Sequence, residues 1–185
     1  MKNKKTFWIY LAVFVVVIVL AGFLYKNLSL KVAKQEIGQT QEETENQDEK
    51  KAPDFVVFDK DGKEVKLSEM KGKPTVLNFW ASWCGPCKME MPHFQEVFEE
   101  MGDEINFFMV NATTGRETEK KAKSYISENN YTLPFYFDKE MNGIRTYGIN
   151  AFPTTYFIDK DLNLVAVAQS AIDKDTLLKG IEMIK

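Results

Sequence analysis

The sequence NFWASWCGPCKMEMP, residues 78–92, contains both cysteines of this 185-residue chain. Cys84 and Cys87 are separated by Gly85 and Pro86. The apolar run before the pair predicts a buried strand, and the apolar residues after it recur at the spacing of a helix. The two thiols are therefore expected where a strand ends and a helix begins. From that position they can exchange electrons or bind a metal.

The predicted helix start gives the two cysteines different chemistry. A helix N-terminus carries about half a positive charge and several unpaired N–H groups, which favour the thiolate form of Cys84. Pro86 falls in the first turn, where a missing N–H costs nothing. Cys87 follows one turn later, within reach of Cys84. This arrangement predicts that Cys84 attacks a substrate disulfide and that Cys87 then attacks Cys84 to release the reduced product.

Two other interpretations of the pair are weaker. Zinc usually takes four Cys, His or carboxylate ligands, whereas this chain offers two cysteines and one histidine, His93. We therefore predict no metal and no other cofactor, and we place His93 at the surface. A purely structural disulfide between Cys84 and Cys87 would close a very short ring, which adds little entropic stabilisation.

The sequence from Ala52 to Lys185 predicts one α/β domain. Its periodicities give the element order β-β-β-α-β-α-β-α-β-β-α, which begins with an added pair of strands. Strands that alternate with helices, followed by a terminal hairpin, indicate a mixed central sheet with helices on both faces. We expect Asn163 to take a positive φ in the hairpin turn and Asp173 to cap the last helix.

Residues 7–25 contain no charged side chain and are strongly apolar. As a helix, this run would span about 28 Å, close to the roughly 30 Å of a bilayer core. We predict a single transmembrane anchor at residues 7–25, with residues 1–6 in the cytoplasm. A cleaved signal peptide is the alternative, but its apolar region is usually only about 7–15 residues long.

The segment of residues 26–51 ends in the acidic stretch QEIGQTQEETENQDEKK. It has too few apolar side chains to offset the cost of ordering, so we predict a flexible tether. A solvated helix that extends the anchor is the alternative. Lysines flank the apolar run on both sides, but the short basic start favours a cytoplasmic N-terminus. The domain at residues 52–185 would then be extracytoplasmic, tied to the cell membrane by a single span.

The charge distribution excludes one class of partner. The net charge is −3, and Lys and Arg form no stripe of the kind that binds a phosphate backbone. We therefore predict no nucleic-acid partner.

Two stretches carry a resemblance to a known family. The first, FWASWCGPCKMEMP at residues 79–92, resembles the thioredoxin active-site sequence, including Trp83 before the first cysteine and Pro92, which would kink the helix. The second, YGINAFPTTYFIDKDLNLV at residues 147–165, resembles a signature of the membrane-anchored TlpA/ResA-like thiol–disulfide oxidoreductases. By this resemblance the chain is identified as a member of that branch of the thioredoxin superfamily, which implies a thioredoxin-like fold.

The resemblance also implies a substrate-binding surface beside the cysteines. Pro153 matches the family's cis-proline, which packs beside the Cys pair and helps present a substrate strand. Phe152 would flank the sulfurs and offer backbone hydrogen bonds. Trp83 would form part of an apolar docking surface together with Gly85 and Pro86. The alternatives are an ordinary trans proline and a tryptophan that simply packs in the core.

One position departs from the thioredoxin pattern. Many thioredoxins carry a buried Asp six residues before the first cysteine, and Asn78 stands at that position here. An amide cannot accept a proton at neutral pH. The resemblance to the ResA-like branch offers Glu90 instead, one helical turn after Cys87, as a catalytic carboxyl whose pKa burial would raise. The alternative is that Glu90 is a solvated helix residue.

The resemblance favours reduction as the direction of electron flow. The Gly-Pro dipeptide is that of thioredoxins, whose potential is about −270 mV, against about −120 mV for a strong oxidant of the DsbA kind. The family implies a membrane thiol-transfer protein as electron donor. It implies apocytochrome c or another exported protein disulfide as substrate.

Three other functions stay open at this point. A disulfide-forming oxidase would use the same scaffold. A tethered binding or chaperone-like module would use the apolar surface around Trp83 and Phe152 without the thiols. A peroxidase is weaker, because the peroxiredoxin motif Pro-x-x-x-Thr-x-x-Cys is absent before Cys84.

Overall fold

The computed structural model describes residues 51–185. The predicted cytoplasmic N-terminus, anchor and nearly all of the tether lie outside the described residues. Within residues 51–185, no helix is long and apolar enough to cross a membrane.

A single mixed sheet organises the described part of the chain. Its seven strands follow the spatial order β2-β1-β5-β4-β3-β6-β7. The pairs β3–β4 and β4–β5 are parallel, and the other neighbours are antiparallel. The strands are β1 (Val56–Phe58), β2 (Glu64–Lys66), β3 (Thr75–Trp80), β4 (Asn106–Asn111), β5 (Phe135–Phe137), β6 (Thr154–Ile158) and β7 (Leu164–Ala168).

Four helices and one 3₁₀ turn connect these strands in the predicted order. The helices are α1 (Gly85–Met101), α2 (Glu119–Glu128), α3 (Asn142–Thr146) and α4 (Lys174–Glu182), and the 3₁₀ turn is Leu67–Met70. The element order predicted from the sequence is therefore confirmed for residues 51–185, including the added strand pair at the start.

The inner strand β3 packs against a separate core layer on each face of the sheet. All of its residues are buried, and successive side chains point to opposite faces of the sheet. Val76 and Trp80 pack with residues of α1, α2 and α4, whereas Leu77 and Phe79 pack with residues of α3 and the 3₁₀ turn. Helices on both faces of the sheet are thus confirmed. The same alternation places Asn78 on the face that α1 covers.

The helix signals in the sequence act as predicted. Phe94 and Val97 of α1 are buried, and Pro92 lies inside this helix. Asp173 caps α4, because its side chain accepts a hydrogen bond from the backbone N–H of Thr176. The cap at Asp173 fixes where α4 begins.

The turn between β6 and β7 differs from the prediction. The positive φ falls on Leu162, at 67°, and the expectation for Asn163 is wrong. Asn163 is buried instead, and both its backbone N–H and its Nδ2 donate to the carboxylate of Asp159. Because this pair of hydrogen bonds holds Asn163 in extended backbone, the left-handed residue of the turn is its neighbour.

Gly180 provides a test of how α4 packs on the sheet. A Cβ at Gly180 would overlap the ring of Phe157, which is itself buried. We expect Gly180→Ala to lower the free energy of unfolding by about 1–3 kcal/mol, the usual range for overpacking. At an exposed helix position the same change stabilises by up to about 1 kcal/mol. Urea denaturation followed by tryptophan fluorescence measures the difference.

A second variant controls for the cause of that loss. Phe157→Leu removes the ring that the new methyl would meet, so Gly180→Ala should cost less in the Phe157→Leu background. Equal costs in both backgrounds would contradict the packing explanation.

Candidate active site

The cysteine pair lies at the start of α1, shortly after the end of β3. Cys84 is the N-cap residue of α1, and Cys87 lies in its first turn. The two sulfurs form a disulfide. Cys84 is 4% exposed and Cys87 is fully buried, so an incoming thiol or disulfide would meet Cys84 first. This placement agrees with Cys84 as the attacking residue and Cys87 as the resolving residue.

The start of α1 provides electrostatic support for Cys84. The backbone N–H of Cys87 donates to Cys84 Sγ at 3.1 Å. A sulfur at a helix N-cap also faces the positive end of the helix dipole. Both interactions would favour a thiolate over a thiol in the reduced form.

The segment just before β6 also contributes to this site. The Phe152–Pro153 peptide bond is cis, as the resemblance implies. Thr154, the next residue, pairs with Phe79 at the end of β3, which places Pro153 at the edge of the sheet where Cys84 lies. The rings of Phe152 and Trp83 meet edge to face, with centroids 5.9 Å apart. Trp83 is 40% exposed, so core packing does not account for it.

Behind the disulfide, Glu90 is buried in the core. It is 1% exposed and lies one turn after Cys87 on α1. Its carboxylate accepts hydrogen bonds from Asn78 Nδ2 at 2.9 Å and from the backbone N–H of Ile172 at 3.1 Å. The alternative of a solvated helix residue is therefore wrong.

The surroundings of Glu90 set its proton affinity. Burial raises the pKa of Glu90 to about 7, against the opposing effect of the hydrogen bonds from Asn78 and Ile172. Removing a carboxylate from water disfavours its charged form, and two N–H donors offset only part of that cost. A carboxyl that titrates near pH 7 can both accept and return a proton under physiological conditions.

Asn78 on β3 donates a hydrogen bond to this carboxyl. Its Nδ2 donates to Glu90 and also to Thr155 Oγ1 on the paired strand β6, both at 2.9 Å. Within residues 51–185, its buried Oδ1 has no hydrogen-bond partner. Asn78 thus occupies the position of the thioredoxin aspartate but acts as a hydrogen-bond donor to an acid supplied by the helix.

Two residues beside the pair were missed by the sequence analysis. Glu117 is buried, and its carboxylate accepts from the backbone N–H and hydroxyl of Ser82. Arg116 places its guanidinium carbon 3.5 Å from the centroid of the Trp83 ring. Both residues lie in the loop after β4. Because β3 and β4 are parallel neighbours, the loops that follow them meet at one edge, and that rule was the available signal.

Metal binding and peroxidase activity are the other chemistries to compare with this site. Among residues 51–185, no group of three or more His, Cys, Asp or Glu side chains could hold a metal ion. His93 is partly exposed on α1. A peroxidase of the peroxiredoxin kind would need Pro and Thr where this chain has Leu77 and Ala81.

The raised pKa of Glu90 makes the stability of the oxidised protein pH-dependent. Unfolding returns Glu90 to water, where the pKa of a glutamate is about 4.3. Between that value and about 7, unfolding releases a proton, so the free energy of unfolding falls as the pH rises through this window. This loss amounts to at most about 4 kcal/mol, and we expect it to be absent in Glu90→Gln. Urea titrations at a series of pH values measure it.

Glu99→Gln is the matched control on the same helix. Glu99 is exposed, and its carboxylate accepts from Gln95 without an ion pair. This variant should keep the pH profile of the wild type. Parallel profiles for Glu90→Gln and the wild type would show that Glu90 does not titrate in this window.

Comparison with known proteins is consistent with this geometry. Residues 49–167 match the AhpC/TSA family. Thiol-disulfide oxidoreductase ResA of Bacillus thuringiensis subsp. konkukian is 35% identical over 167 residues, which cover 88% of this chain and 87% of the relative. Thioredoxin-like protein YneN of Bacillus subtilis is 33% identical over 147 residues, which cover 79% and 81%.

Solved structures show the same fold. The pneumococcal exposed lipoprotein thioredoxin Etrx1 of Streptococcus pneumoniae is 34% identical with a TM-score of 0.62, covering 70% of this chain and 98% of that one. Matching curated relatives are thiol–disulfide oxidoreductases by name, and this chain keeps a paired Cys84–Cys87 at the start of α1. The chain therefore belongs to the thioredoxin-like AhpC/TSA family and is a thiol–disulfide oxidoreductase of the ResA type.

Proposed function

We propose that this oxidoreductase is anchored in the cell membrane and reduces disulfides of exported proteins outside the cytoplasm. The observation that carries the proposal is the buried carboxyl of Glu90, one turn behind Cys87. A proton acceptor at that place serves the resolving thiol, which must lose its proton before a reduced product can leave.

The first step would take place at Cys84. Its thiolate attacks one sulfur of the substrate disulfide, forming a mixed disulfide and releasing the other substrate sulfur as a thiolate. The N–H of Cys87, which donates to Cys84 Sγ in the disulfide form, would hold the attacking thiolate before this step. One disulfide is exchanged for another, so no outside oxidant or reductant enters.

The second step would involve Cys87 and Glu90. The Cys87 thiol gives its proton to the Glu90 carboxylate and attacks Cys84 Sγ. The Cys84–Cys87 disulfide forms, and the second substrate sulfur departs as a thiolate that takes a proton from water. Glu90 then releases this proton to water, as Cys84 did when it ionised, and both substrate thiolates are protonated from water. In sum, the substrate gains two electrons and two protons, and the enzyme dithiol loses the same number. Cys87 is fully buried in the disulfide form, which favours an internal proton acceptor over water.

Substrate would dock on the apolar surface around the pair. Trp83 and Phe152 present touching aromatic rings beside Cys84, and Gly85 and Pro86 form the exposed helix start next to it. Pro153 follows Phe152 through the cis peptide bond beside this surface. An extended substrate strand could pair with the backbone at Phe152 while its sulfur reaches Cys84.

The direction and the partners rest on other grounds. Gly85 and Pro86 match the thioredoxin dipeptide, which favours a reductant. The oxidised pair must be reduced again by the same exchange chemistry, so a membrane thiol-transfer protein is the expected donor. The Streptococcus pneumoniae relative is named an exposed lipoprotein, which supports a location outside the cytoplasm. Oxidised apocytochrome c is the first substrate to test.

Trapping of the mixed disulfide tests the reaction. With oxidised apocytochrome c, reduced Cys87→Ser should accumulate an adduct through Cys84, since no resolving thiol remains. Glu90→Gln should accumulate part of the same adduct, because loss of the proton acceptor slows resolution by about 10²–10⁴-fold. Non-reducing electrophoresis with mass spectrometry identifies it. Glu99→Gln is the control and should form none.

The potential of the pair tests the direction. We expect a value near that of thioredoxin, about −270 mV, in equilibrium with glutathione or dithiothreitol. A value near −120 mV would support a disulfide-forming oxidase instead. Retention of function in a Cys84→Ser, Cys87→Ser double variant would support the tethered binding or chaperone-like module.

Protease access tests the anchor and its orientation. In intact spheroplasts, added protease should remove the domain at residues 52–185 and leave a membrane fragment containing residues 7–25. A cytoplasmic marker protein serves as the control for leakage. A domain that stays protected until the membrane is dissolved would exclude the proposed orientation. Release of the domain without protease would indicate a cleaved signal peptide.

A further inference from the structure

A cation lies on the aromatic surface next to Cys84. The guanidinium carbon of Arg116 is 3.5 Å from the centroid of the Trp83 ring, and Trp83 directly precedes Cys84 in the chain. Arg116 and Trp83 are both exposed. A protein that docks its disulfide on Cys84 would therefore meet this charge.

The loop after β4, which carries Arg116, is hydrogen-bonded to the segment between β3 and α1. Glu117, the next residue, is buried, and its carboxylate accepts from the backbone N–H and hydroxyl of Ser82, as well as from the N–H of Thr118. Lys121 Nζ donates to the Arg116 carbonyl oxygen at 2.8 Å. The position of Arg116 is thus set by its neighbours, which lowers the entropy lost when the guanidinium binds a ligand.

The positive charge of Arg116 has no counter-ion within residues 51–185. No carboxylate in this part of the chain lies within ion-pairing distance of it, and Glu117 points its carboxylate to Ser82. Lys88, one turn into α1, adds a second cation without an ion pair, 5.3 Å from the centroid of the Tyr125 ring. The chain as a whole has net charge −3, so the positive character near Cys84 is local.

We propose that Arg116, stacked on Trp83, recognises a carboxylate beside the reactive cysteine of the substrate protein. The inference rests on the proposed function, in which a protein disulfide docks on this surface. A guanidinium that stacks through its face keeps its N–H groups free at the edge, where they can bind a carboxylate in bidentate fashion. Substrates with Asp or Glu next to the cysteine are therefore preferred.

Another effect of Arg116 is separable from recognition. A nearby cation also favours the Cys84 thiolate, which would speed attack on every disulfide by the same factor. Recognition of a carboxylate changes the ratio of kcat/KM between acidic and neutral substrates, whereas a change in thiol pKa leaves that ratio alone.

Paired peptides measure this ratio with the full chain in detergent. Each peptide holds one intramolecular disulfide, and the residues that flank its cysteine are Asp in one peptide and Asn in the other. We expect the wild type to favour the Asp peptide by roughly three- to tenfold at low salt. High salt should reduce this preference, because an exposed pair is screened.

Three variants assign the preference to Arg116. Arg116→Gln should bring the ratio to about one, whereas Arg116→Lys should keep part of it, because the charge remains without the planar fork. Lys63→Gln removes a cation from the turn between β1 and β2, at the far edge of the sheet, and should keep the whole preference. A small uncharged disulfide reports whether Cys84 stays reactive in each variant.

The outcomes separate this inference from the proposed function. If the wild type reduces both peptides equally, or if Arg116→Gln keeps the preference, the inference is overturned and the reductase function stands. If Arg116→Gln lowers both rates by one factor and leaves the ratio unchanged, Arg116 acts only on the Cys84 thiol, which also overturns it. If neither peptide is reduced, the proposed function fails, and the inference fails with it.

Discussion

The hydrogen bond between Asn78 and Glu90 joins β3 to α1, the helix that carries Cys87. The position of the buried carboxyl in the site depends on this bond. A carboxyl in a protein core persists only where its oxygens have donors. Asn78 supplies one from β3, and the backbone of Ile172, just before α4, supplies the other. Thr155 of β6 accepts from the same Asn78 amide. One acidic side chain therefore fixes the relation of three elements around the disulfide.

In the proposed mechanism, this arrangement would exchange stability for proton transfer. A buried glutamate with two donors costs more than an apolar residue of the same volume, and the cost grows as the group ionises. Perturbed carboxyls of this kind concentrate at functional sites, because chemistry near pH 7 needs them. Supplying the acid from α1 rather than from β3 places it on the same helix as Cys87. The strand then provides the amide that holds the acid.

The sequence specified the order of elements and the cysteine site because both depend on local patterns. Alternating strands and helices, the cap at Asp173 and the proline in the first turn of α1 each act within a few residues. The burial of Glu90 was beyond such patterns, since its donors Asn78 and Ile172 are 12 and 82 positions away. The expectation that Glu90 is buried came from the family resemblance, whereas Arg116 had no such support and was missed. Its contact with Trp83 requires the parallel register of β3 and β4, which no short motif encodes.

The residues proposed for proton transfer and for substrate choice differ in their exposure. Glu90 lies behind Cys87 in the core, and Arg116 lies on the exposed ring of Trp83 in front of Cys84. The two side chains share no hydrogen-bond partner within residues 51–185. Residues without shared partners usually contribute independently. If both proposals hold, the carboxyl would set the rate of resolution and the cation would set the preferred substrate, each independently of the other. A thioredoxin-like scaffold could in this way take up a new partner without altering the proton transfer proposed for Cys87.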